Sequence, residues 1–268
     1  SWFRNTGCTK GGRAMALKIF DLTGKVALVT GGSKGLGKAM ARGLAEAGAD
    51  VVISSRHENE LRPALDEVLR DTGRRGLYVV ADMSRRDDVQ RLARTALEKM
   101  GGVDILINNA GTNRPQAIDA ITDKDWDEVV EINLTSVMAL TRALVPHMKQ
   151  KRWGRIIHIS SVMGFTSKEG RNVYSATKSA LLGLARASAL DLGRYGITVN
   201  CIAPGPFLTD LPAHLLSDAE KQLFADRTAV GRWADPKELV GPALLMASDA
   251  GSYVTGTTLI VDGGYLAR

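Results

Sequence analysis

Apolar and polar positions alternate along the chain at two different spacings. Short runs of apolar, often β-branched residues predict strands buried on both faces. Longer segments, in which apolar residues recur every three or four positions, predict amphipathic helices. The predicted strands are Val26–Thr30, Val51–Ser54, Gly76–Val80, Ile105–Asn108, Arg155–Ile159, Ile197–Ile202 and Thr258–Val261. The predicted helices include Gly37–Ala47, Asn59–Thr72, Arg86–Met100 and Ala176–Leu192.

This regular alternation of strands and helices is typical of βαβ units, so we predict an α/β protein. The expected architecture is a Rossmann-type doubly wound parallel sheet of about seven strands, with helices on both faces. We find no repeat, low-complexity tract or linker, and therefore expect residues 19–268 to form a single domain. No apolar run reaches the roughly 18 residues that a membrane helix needs.

Residues 1–18 differ from the rest of the chain. They carry Arg4, Lys10, Arg13 and Lys18, with no acid and no apolar period. We expect a disordered leader or a remnant of cloning, with a basic transit peptide as the alternative. These residues supply four of the six net positive charges of the 268-residue chain, and the remainder mixes both signs. We therefore expect no nucleic-acid partner and no membrane partner.

The two cysteines, Cys8 and Cys201, give no disulfide framework, so we expect a reducing, cytoplasmic location. The four histidines are scattered without metal-binding spacing, and we predict no metal site. We interpret Trp126, Trp153 and Trp233 as packing residues.

A glycine-rich turn follows the first predicted strand and precedes the first predicted helix. It reads Gly31-Gly32-Ser33-Lys34-Gly35-Leu36-Gly37. Glycines there allow a tight turn and let backbone N–H groups approach a pyrophosphate, which then faces a helix N-terminus. The turn thus predicts a dinucleotide site, and a tight turn without a ligand is the alternative.

The end of the second strand bears on which dinucleotide is bound. A site for NAD usually has an acid there to bind the ribose 2′-hydroxyl, whereas this chain has Ser55 and Arg56. Arg56 could clamp a 2′-phosphate, and Lys34 adds a second cation within the glycine loop. We therefore favour NADP(H) and keep NAD(H) possible. The alternative is that both side chains are solvated surface charges.

Further motifs occur in a fixed order along the chain. They are Thr30-Gly31-x-x-x-Gly35-x-Gly37, Asp82, Asn108-Asn109-Ala110-Gly111, Asn133, Ser161, Tyr174-x-x-x-Lys178, Pro204-Gly205 with Thr209, and Val261-Asp262-Gly263-Gly264. Each motif is weak alone, but the ordered set is specific. By this set the chain resembles the short-chain dehydrogenase/reductase family, in its single-domain branch, over nearly all residues after Phe20.

The resemblance implies roles for individual residues. Asn133, Ser161, Tyr174 and Lys178 would form a catalytic tetrad, in which Asn133 would hold a water that links Lys178 to solvent. The residues implied in cofactor binding are Gly31, Ser33, Lys34, Gly35, Leu36, Gly37, Ser55, Arg56, Asp82, Met83, Asn109, Ala110, Gly111, Tyr174, Lys178, Pro204, Gly205, Phe207 and Thr209. The resemblance also implies an oxidoreductase acting on CH–OH groups and a homotetramer, packed in part through the helix Ala176–Leu192.

The residue types fit proton transfer to or from a substrate oxygen. A phenol ordinarily has a pKa near 10, and a nearby cation lowers it. Tyr174 and Lys178 are four residues apart, so on a helix they share one face. Ser161 adds a hydroxyl that could orient and polarise the substrate oxygen. We interpret Tyr174 as the general acid and base.

The substrate is a small-molecule alcohol or ketone, and its lining is expected from residues 112–117, 162–171 and 206–224. Arg114, Lys168 and Arg171 lie there and suit a carboxylate, with ordinary loop charges as the alternative. The chain is similar to the family's sugar-acid dehydrogenases, which favours a gluconate-like substrate. The alternative function is a reductase of 3-oxoacyl thioesters or other carbonyls. A third hypothesis, from another class, is a non-catalytic Rossmann protein that senses NAD(P) or binds nucleic acid.

Overall fold

The structure is a computed structural model that describes residues 17–209 and 217–267. Seven parallel strands form one sheet in the order β3-β2-β1-β4-β5-β6-β7, which confirms the predicted fold class. The strands are β1 Val26–Thr30, β2 Asp50–Ser55, β3 Gly76–Val80, β4 Ile105–Asn108, β5 Gly154–Ile159, β6 Ile197–Pro204 and β7 Thr258–Val261. The strand order reverses between β1 and β4. In open α/β sheets a ligand crevice forms at that point, beyond the carboxyl ends of the strands.

Helices cover both faces of the sheet. They are α1 Gly35–Glu46, α2 Glu58–Leu69, α3 Arg86–Met100, α4 Asp123–Val130, α5 Ser136–Lys151, α6 Asn172–Leu192, α7 Asp218–Asp226 and α8 Val240–Ala247. Helix α6 begins four residues before the predicted start, since Asn172 and Val173 have low helix propensity and give a weak signal. Tyr174 therefore lies in the first turn of this helix.

Alternate residues of each strand pack into two apolar layers. On one face, Leu28, Leu106 and Val199 pack against α3, α5 and α6. On the other face, Val29, Ile53 and other strand residues pack against α1, α2 and α8. Because the inner strands are apolar on both sides, their backbone positions are fixed. The loops at their carboxyl ends thus stand on a rigid base.

Helices α4 and α5 are continuous through a π-helical turn at Glu131–Thr135. The resulting helix, Asp123–Lys151, is long and apolar enough to cross a membrane by length and composition alone. Half of its most apolar stretch is buried inside the protein, where α5 packs in the core. It is the core helix of the layer beside α3. The π turn, a feature common at functional sites, contains Asn133.

The predicted leader falls almost wholly on residues 1–16, which lie outside the described residues. At its end, Lys18–Phe20 forms a single 3-10 turn. The backbone N–H of Leu22 then donates to the carbonyl oxygen of Ala47 and brings the chain to the sheet.

Candidate active site

The glycine loop after β1 is held in a tight turn by its contacts with the end of β4. Gly31 has a φ of +64°, in the left-handed region that favours glycine. A Cβ on Gly37 would lie 2.2 Å from the carbonyl oxygen of Gly31. Asn109 Nδ2 donates to the carbonyl oxygens of Thr30 and Gly31 at 2.9 and 3.2 Å. The Thr30 hydroxyl accepts from the backbone N–H of Ala110 at 3.0 Å.

These contacts give Asn109 a role that differs from the one implied by resemblance. Its side-chain amide holds the glycine loop against β4, although Asn109 also lines the cavity described below. The structure therefore supports Asn109 first as a positioning residue for the loop.

The loop also packs against β2 and leaves the start of α1 open. The N–H of Gly32 donates to the carbonyl oxygen of Ser54 at 3.1 Å. Lys34 precedes the first residue of α1, and no side chain caps this helix. Its first N–H groups are unpaired within the helix and attract anions. The donor set thus fits the pyrophosphate of a dinucleotide.

Ser33 and Lys34 lie in the glycine loop, which bonds to Ser54 near the end of β2, while Ser55 ends that strand and Arg56 follows it. Arg56 is exposed and forms no ion pair with a described residue. Lys34 lies 3.5 Å from a carboxylate oxygen of Glu60, which the sequence analysis did not single out. One of the two predicted phosphate-binding cations therefore already has an anionic neighbour.

The predicted adenine-side residues follow β3. Asp82 Oδ1 accepts from the N–H and the hydroxyl of Ser84 at 2.9 and 2.8 Å. These bonds fix the turn after the strand. The side chain of Met83 is buried in the core between the sheet and α3 and does not line the cavity described below.

Asn133 ties the π turn to the loop after β4 and to α6. Its Oδ1 accepts from the N–H of Thr112 at 2.8 Å, and its Nδ2 donates to the Thr112 carbonyl oxygen at 2.9 Å. Nδ2 also lies 3.2 Å from the hydroxyl oxygen of Thr177. A Cβ on Gly111 would be 3.4 Å from both Asn133 Oδ1 and Lys178 Nζ. Glycine therefore leaves the space between these two groups open.

Lys178 and Tyr174 share one face of α6, as their spacing predicts. Lys178 is 4% exposed, and its Nζ donates to the carbonyl oxygen of Ile159 at 2.7 Å. Burial lowers the pKa of Lys178 to about 8. Its Nζ lies 5.6 Å from the centroid of the Tyr174 ring. The ammonium is close enough to act on the phenol electrostatically.

Ser161 lies two residues after the end of β5 and faces the same tyrosine. Its Oγ accepts from the N–H of Met163 at 3.1 Å and caps a short 3-10 turn, Val162–Gly164. Burial raises the pKa of Tyr174, while a hydrogen bond with Ser161 and the charge of Arg171 lower it in part. Tyr174 is thus a neutral phenol at neutral pH and can donate a proton.

One cavity of about 550 Å³ joins the glycine loop to these catalytic candidates. Along its length it is lined by Lys34, Gly35, Leu36, Asn109, Gly111, Ser161, Tyr174, Lys178, Pro204, Gly205, Phe207 and Thr209. The other residues of the predicted set are outside this lining: Gly31, Ser33, Gly37, Ser55, Arg56, Asp82, Met83, Ala110 and Asn133. The residues present therefore fit an extended dinucleotide whose reactive end reaches Tyr174.

The cavity is also lined by five partly exposed residues, Lys168, Arg171, Phe224, Trp233 and Tyr265, a set that we call the mouth. Lys168 Nζ lies 4.9 Å from the centroid of the Phe224 ring, and that ring meets Trp233 edge-on at 5.5 Å between centroids. Burial, followed by the charge of Arg171, lowers the pKa of Lys168. The mouth thus combines two cations with an aromatic wall.

Two expectations from the sequence need correction at the mouth. Trp233 lines the cavity and is not only a packing residue. Arg114 does not line the cavity, because its Nη2 pairs with Glu128 Oε1 at 2.9 Å and its guanidinium also approaches Asp125. The carboxylates of Asp125 and Glu128 on α4 thus pair with the Arg114 guanidinium in place of a substrate carboxylate. Tyr265 also lines the cavity and was not predicted from the sequence, because nothing near it in the sequence indicates where the C-terminal segment packs.

His158 lies beneath the site, on the β5 face that packs against α6. It is fully buried beside Cys201 on β6, and its Nδ1 lies 3.1 Å from the Nδ2 of Asn108 on β4. Burial, with a smaller effect of the Lys178 charge, lowers its pKa to about 4. Among the described residues, no three His, Cys, Asp or Glu side chains converge as a metal-binding group.

Comparisons with known proteins agree with this geometry. The family model described as short chain dehydrogenase matches residues 25–220. The chain is 39% identical to 2-dehydro-3-deoxy-D-gluconate 5-dehydrogenase from Escherichia coli (strain K12) over 257 residues, covering 95% of this chain and 100% of that protein. It is 35% identical to a 3-oxoacyl-[acyl-carrier-protein] reductase from Aquifex aeolicus (strain VF5) over 243 residues, covering 91% and 98%.

A solved structure shows the same fold with ligands bound. It is a gluconate 5-dehydrogenase from Burkholderia cenocepacia J2315 in complex with NADP and tartrate. That protein is 37% identical to this chain, with a TM-score of 0.88, and the match covers 94% of this chain and 98% of that one.

Proposed function

The protein belongs to the short-chain dehydrogenase family of NAD(P)-dependent oxidoreductases, and we propose that it interconverts a sugar acid and its ketone with NADP(H), using Tyr174 as general acid and base. The observation that carries this proposal is one continuous cavity that is lined both by the glycine loop and by Tyr174, Ser161 and Lys178, the group that we call its inner end.

In the direction of ketone reduction, Ser161 and Tyr174 hold the carbonyl oxygen of the substrate. The bound nicotinamide would supply the hydride, as the chemistry of that cofactor provides. Tyr174 donates its proton to the developing alkoxide, because burial keeps the phenol protonated at neutral pH. In alcohol oxidation the same oxygen accepts the proton after it has been deprotonated to the phenolate. Ser161 stabilises the charge on the substrate oxygen by hydrogen bonding.

Lys178 stabilises the phenolate that forms after proton transfer. With a pKa of about 8 its amine is mainly cationic at neutral pH, and it lies 5.6 Å from the tyrosine ring. In a buried site such a charge acts more strongly than in water. Asn133 keeps the loop after β4 and helix α6 in fixed relation through three hydrogen bonds.

The cofactor preference for NADP(H) over NAD(H) is supported by Ser33, Lys34 and Arg56, which forms no ion pair with a described residue. Two cations next to a hydroxyl suit a 2′-phosphate, which a guanidinium can bind through two N–H groups. No acid takes the place of Ser55 to bind a free ribose hydroxyl. The Burkholderia relative binds NADP on the same fold.

The choice of a sugar acid is supported by Lys168 and Arg171 at the mouth. Both line the cavity, and neither forms an ion pair with a described residue. A carboxylate on the substrate would neutralise them, while the faces of Phe224 and Trp233 could pack against sugar C–H groups. The Escherichia and Burkholderia relatives act on sugar acids by name.

A 3-oxoacyl thioester is the second candidate substrate. The apolar wall of Phe224 and Trp233 and the Aquifex relative favour it. The two substrates differ in the position of charge, because a sugar acid carries its carboxylate a few atoms from the reacting carbon. Lys168 and Arg171, which border the reaction cavity directly, therefore favour the sugar acid.

We also propose a cytoplasmic homotetramer of single-domain subunits. The support for assembly is the outer face of α6, where Leu190 is 86% exposed and Leu182 and Leu184 are only partly covered. Apolar faces of this kind pack against a second copy in many oligomers. The free thiol of Cys201 in the core suits a reducing compartment.

The proposal is tested by measuring nicotinamide absorbance with a substrate panel and both cofactors. The panel contains gluconate-type acids, their keto forms, neutral sugars and a 3-oxoacyl thioester. We expect the highest kcat/KM with an acid and NADP(H). Turnover of the thioester alone would replace the sugar acid, and no turnover with any carbonyl or alcohol would contradict an enzymatic function.

A further inference from the structure

The carboxylate of Glu60 lies among the groups proposed to bind the 2′-phosphate. Glu60 is in the first turn of α2, four residues after Arg56. Its Oε2 accepts from the Ser33 hydroxyl at 3.1 Å, and its Oε1 lies 3.5 Å from Lys34 Nζ. The protein therefore places an anion of its own on two of the three groups that would hold the phosphate.

We propose that Glu60 determines cofactor preference by competing with the 2′-phosphate of NADP(H) for Ser33 and Lys34. This inference rests on the proposed NADP site. Glu60 is a specificity-determining residue in this account, and it takes no part in hydride or proton transfer.

The competition follows from the number of hydrogen bonds that Ser33, one of the groups of the proposed phosphate receptor, can donate. The hydroxyl of Ser33 has one proton, and it is already donated to Glu60. A phosphate bound there would need the same proton and would be repelled by the carboxylate. NADP(H) must therefore displace Glu60, whereas NAD(H), which has no phosphate at this position, can leave the contacts intact.

Exposure of the pair makes such an exchange possible. The side chain of Lys34 is 52% exposed and that of Glu60 is 35% exposed, so both can move without disturbing the core. Exposed pairs of this kind are weak, and a dianion can replace a carboxylate on them. Arg56, with no anionic partner among the described residues, would then supply the net attraction that favours NADP(H).

A second glutamate in the same turn provides a matched control. Glu58 is two residues from Glu60, but its Oε1 accepts from the Tyr78 hydroxyl at 2.9 Å and lies 3.9 Å from Arg62 Nη2. It makes no hydrogen bond or ion pair with the glycine loop. Glu58→Gln therefore changes the local charge by the same amount without changing the contacts of Ser33 and Lys34.

The test is calorimetric binding of 2′,5′-ADP and 5′-ADP to the full chain, in the unchanged protein, Glu60→Gln and Glu58→Gln. We expect Glu60→Gln to bind 2′,5′-ADP about two- to fivefold more tightly, the range of one exposed ion pair. Its affinity for 5′-ADP should stay the same or fall. Glu58→Gln should match the unchanged protein, and the gain should shrink at high salt.

Several results would overturn the inference. Equal weakening of both ligands by Glu60→Gln would mean that Glu60 only supports the loop. An equal gain in both glutamine variants would mean a general charge effect. If Glu60→Gln lowers the Tm strongly, Glu60→Asp serves instead: its shorter carboxylate cannot hold both groups, so unchanged 2′,5′-ADP binding would count against competition.

The same data separate this inference from the NADP site on which it rests. If the unchanged protein prefers 2′,5′-ADP but Glu60→Gln gains nothing, the competition is wrong and the phosphate receptor stands. If neither protein distinguishes the two ligands, both the receptor and the competition are wrong. Neither outcome bears on Tyr174.

Discussion

The inner end and the mouth of the cavity are built in opposite ways. At the inner end, Lys178 is almost fully buried and donates to a main-chain carbonyl oxygen, and Asn133, just outside the lining, is buried and bonded to main-chain groups as well. At the mouth, Lys168 and Arg171 are partly exposed on the loop between β5 and α6. A fixed inner end suits a reaction that is the same for every substrate, and an adaptable mouth suits the choice among substrates.

Substitutions at the two ends of the cavity should therefore change different properties of the enzyme. Changes at the inner end should alter kcat or the stability of the fold for any substrate. Changes at the mouth should alter KM for one class of substrate only, because a remote contact is present in the ground and transition states alike.

The largest effect is expected for Lys178→Met, which keeps the side-chain volume and removes the charge. The variant loses the cation that stabilises the phenolate, and by the family resemblance it also loses a contact to the cofactor ribose. We expect kcat to fall by about 10² to 10⁴-fold, with weaker cofactor binding in addition. Steady-state kinetics and cofactor titration measure both. Retention of full kcat would remove Lys178 from the chemistry.

His158, buried beneath the inner end of the cavity, should make the stability of the folded protein sensitive to acid. Its pKa is about 4 in the folded chain against an ordinary value of 6.5, so the unfolded chain binds the proton more tightly. The contribution of neutral His158 to the free energy of unfolding is fully present above pH 6.5. It falls by roughly 3 kcal/mol as the pH decreases toward 4 and below. His158→Gln should flatten this part of the pH dependence of urea unfolding.

The control for this prediction is His57→Gln, since His57 is exposed at the end of β2. This variant removes a surface imidazole and leaves the buried His158 in place, so the acid sensitivity attributed to His158 should remain. A His158→Gln variant that loses stability in acid as steeply as the unchanged protein would show that His158 is not held neutral by burial.

The strands could be predicted from the sequence because buried parallel strands are continuous apolar runs, and four of the seven predicted bounds match the structure. The positions of Tyr174 and Lys178 on one helix face also follow from their spacing. Trp233, Tyr265 and Glu60 could not be placed, because their contacts join segments far apart in the chain. The ion pairing of Arg114 could not be predicted either, because its partner Glu128 lies on α4, and their contact depends on how that helix packs.

At the mouth, Lys168→Met and Arg171→Met should each raise KM for acidic substrates. The loss of a charged contact of this kind is roughly 1.5–3 kcal/mol. Neutral ketones should be nearly unaffected. Arg114→Met is the matched control, because that guanidinium pairs with Glu128 outside the cavity. If neither Lys168→Met nor Arg171→Met raises KM for acidic substrates more than Arg114→Met does, the support for a sugar acid is lost.

The smallest effect is expected at the cofactor's adenosine end, where Ser55→Asp combined with Arg56→Ala should shift preference toward NAD(H). The added acid can bind the ribose hydroxyls, and the missing guanidinium no longer binds the phosphate. We expect the ratio of kcat/KM for the two cofactors to change by about tenfold. A better kcat/KM for NAD(H) in the unchanged enzyme would contradict the proposed preference.

The central claim is that Tyr174 transfers the proton at the inner end of the cavity. Its most direct test is Tyr174→Phe, measured as the single-turnover rate of nicotinamide oxidation with saturating ketone. The ring and its packing remain, so we predict unchanged cofactor affinity with a rate lower by about 10² to 10⁴-fold. A Tyr174→Phe enzyme that binds the cofactor normally and reacts at the rate of the unchanged protein would contradict the account.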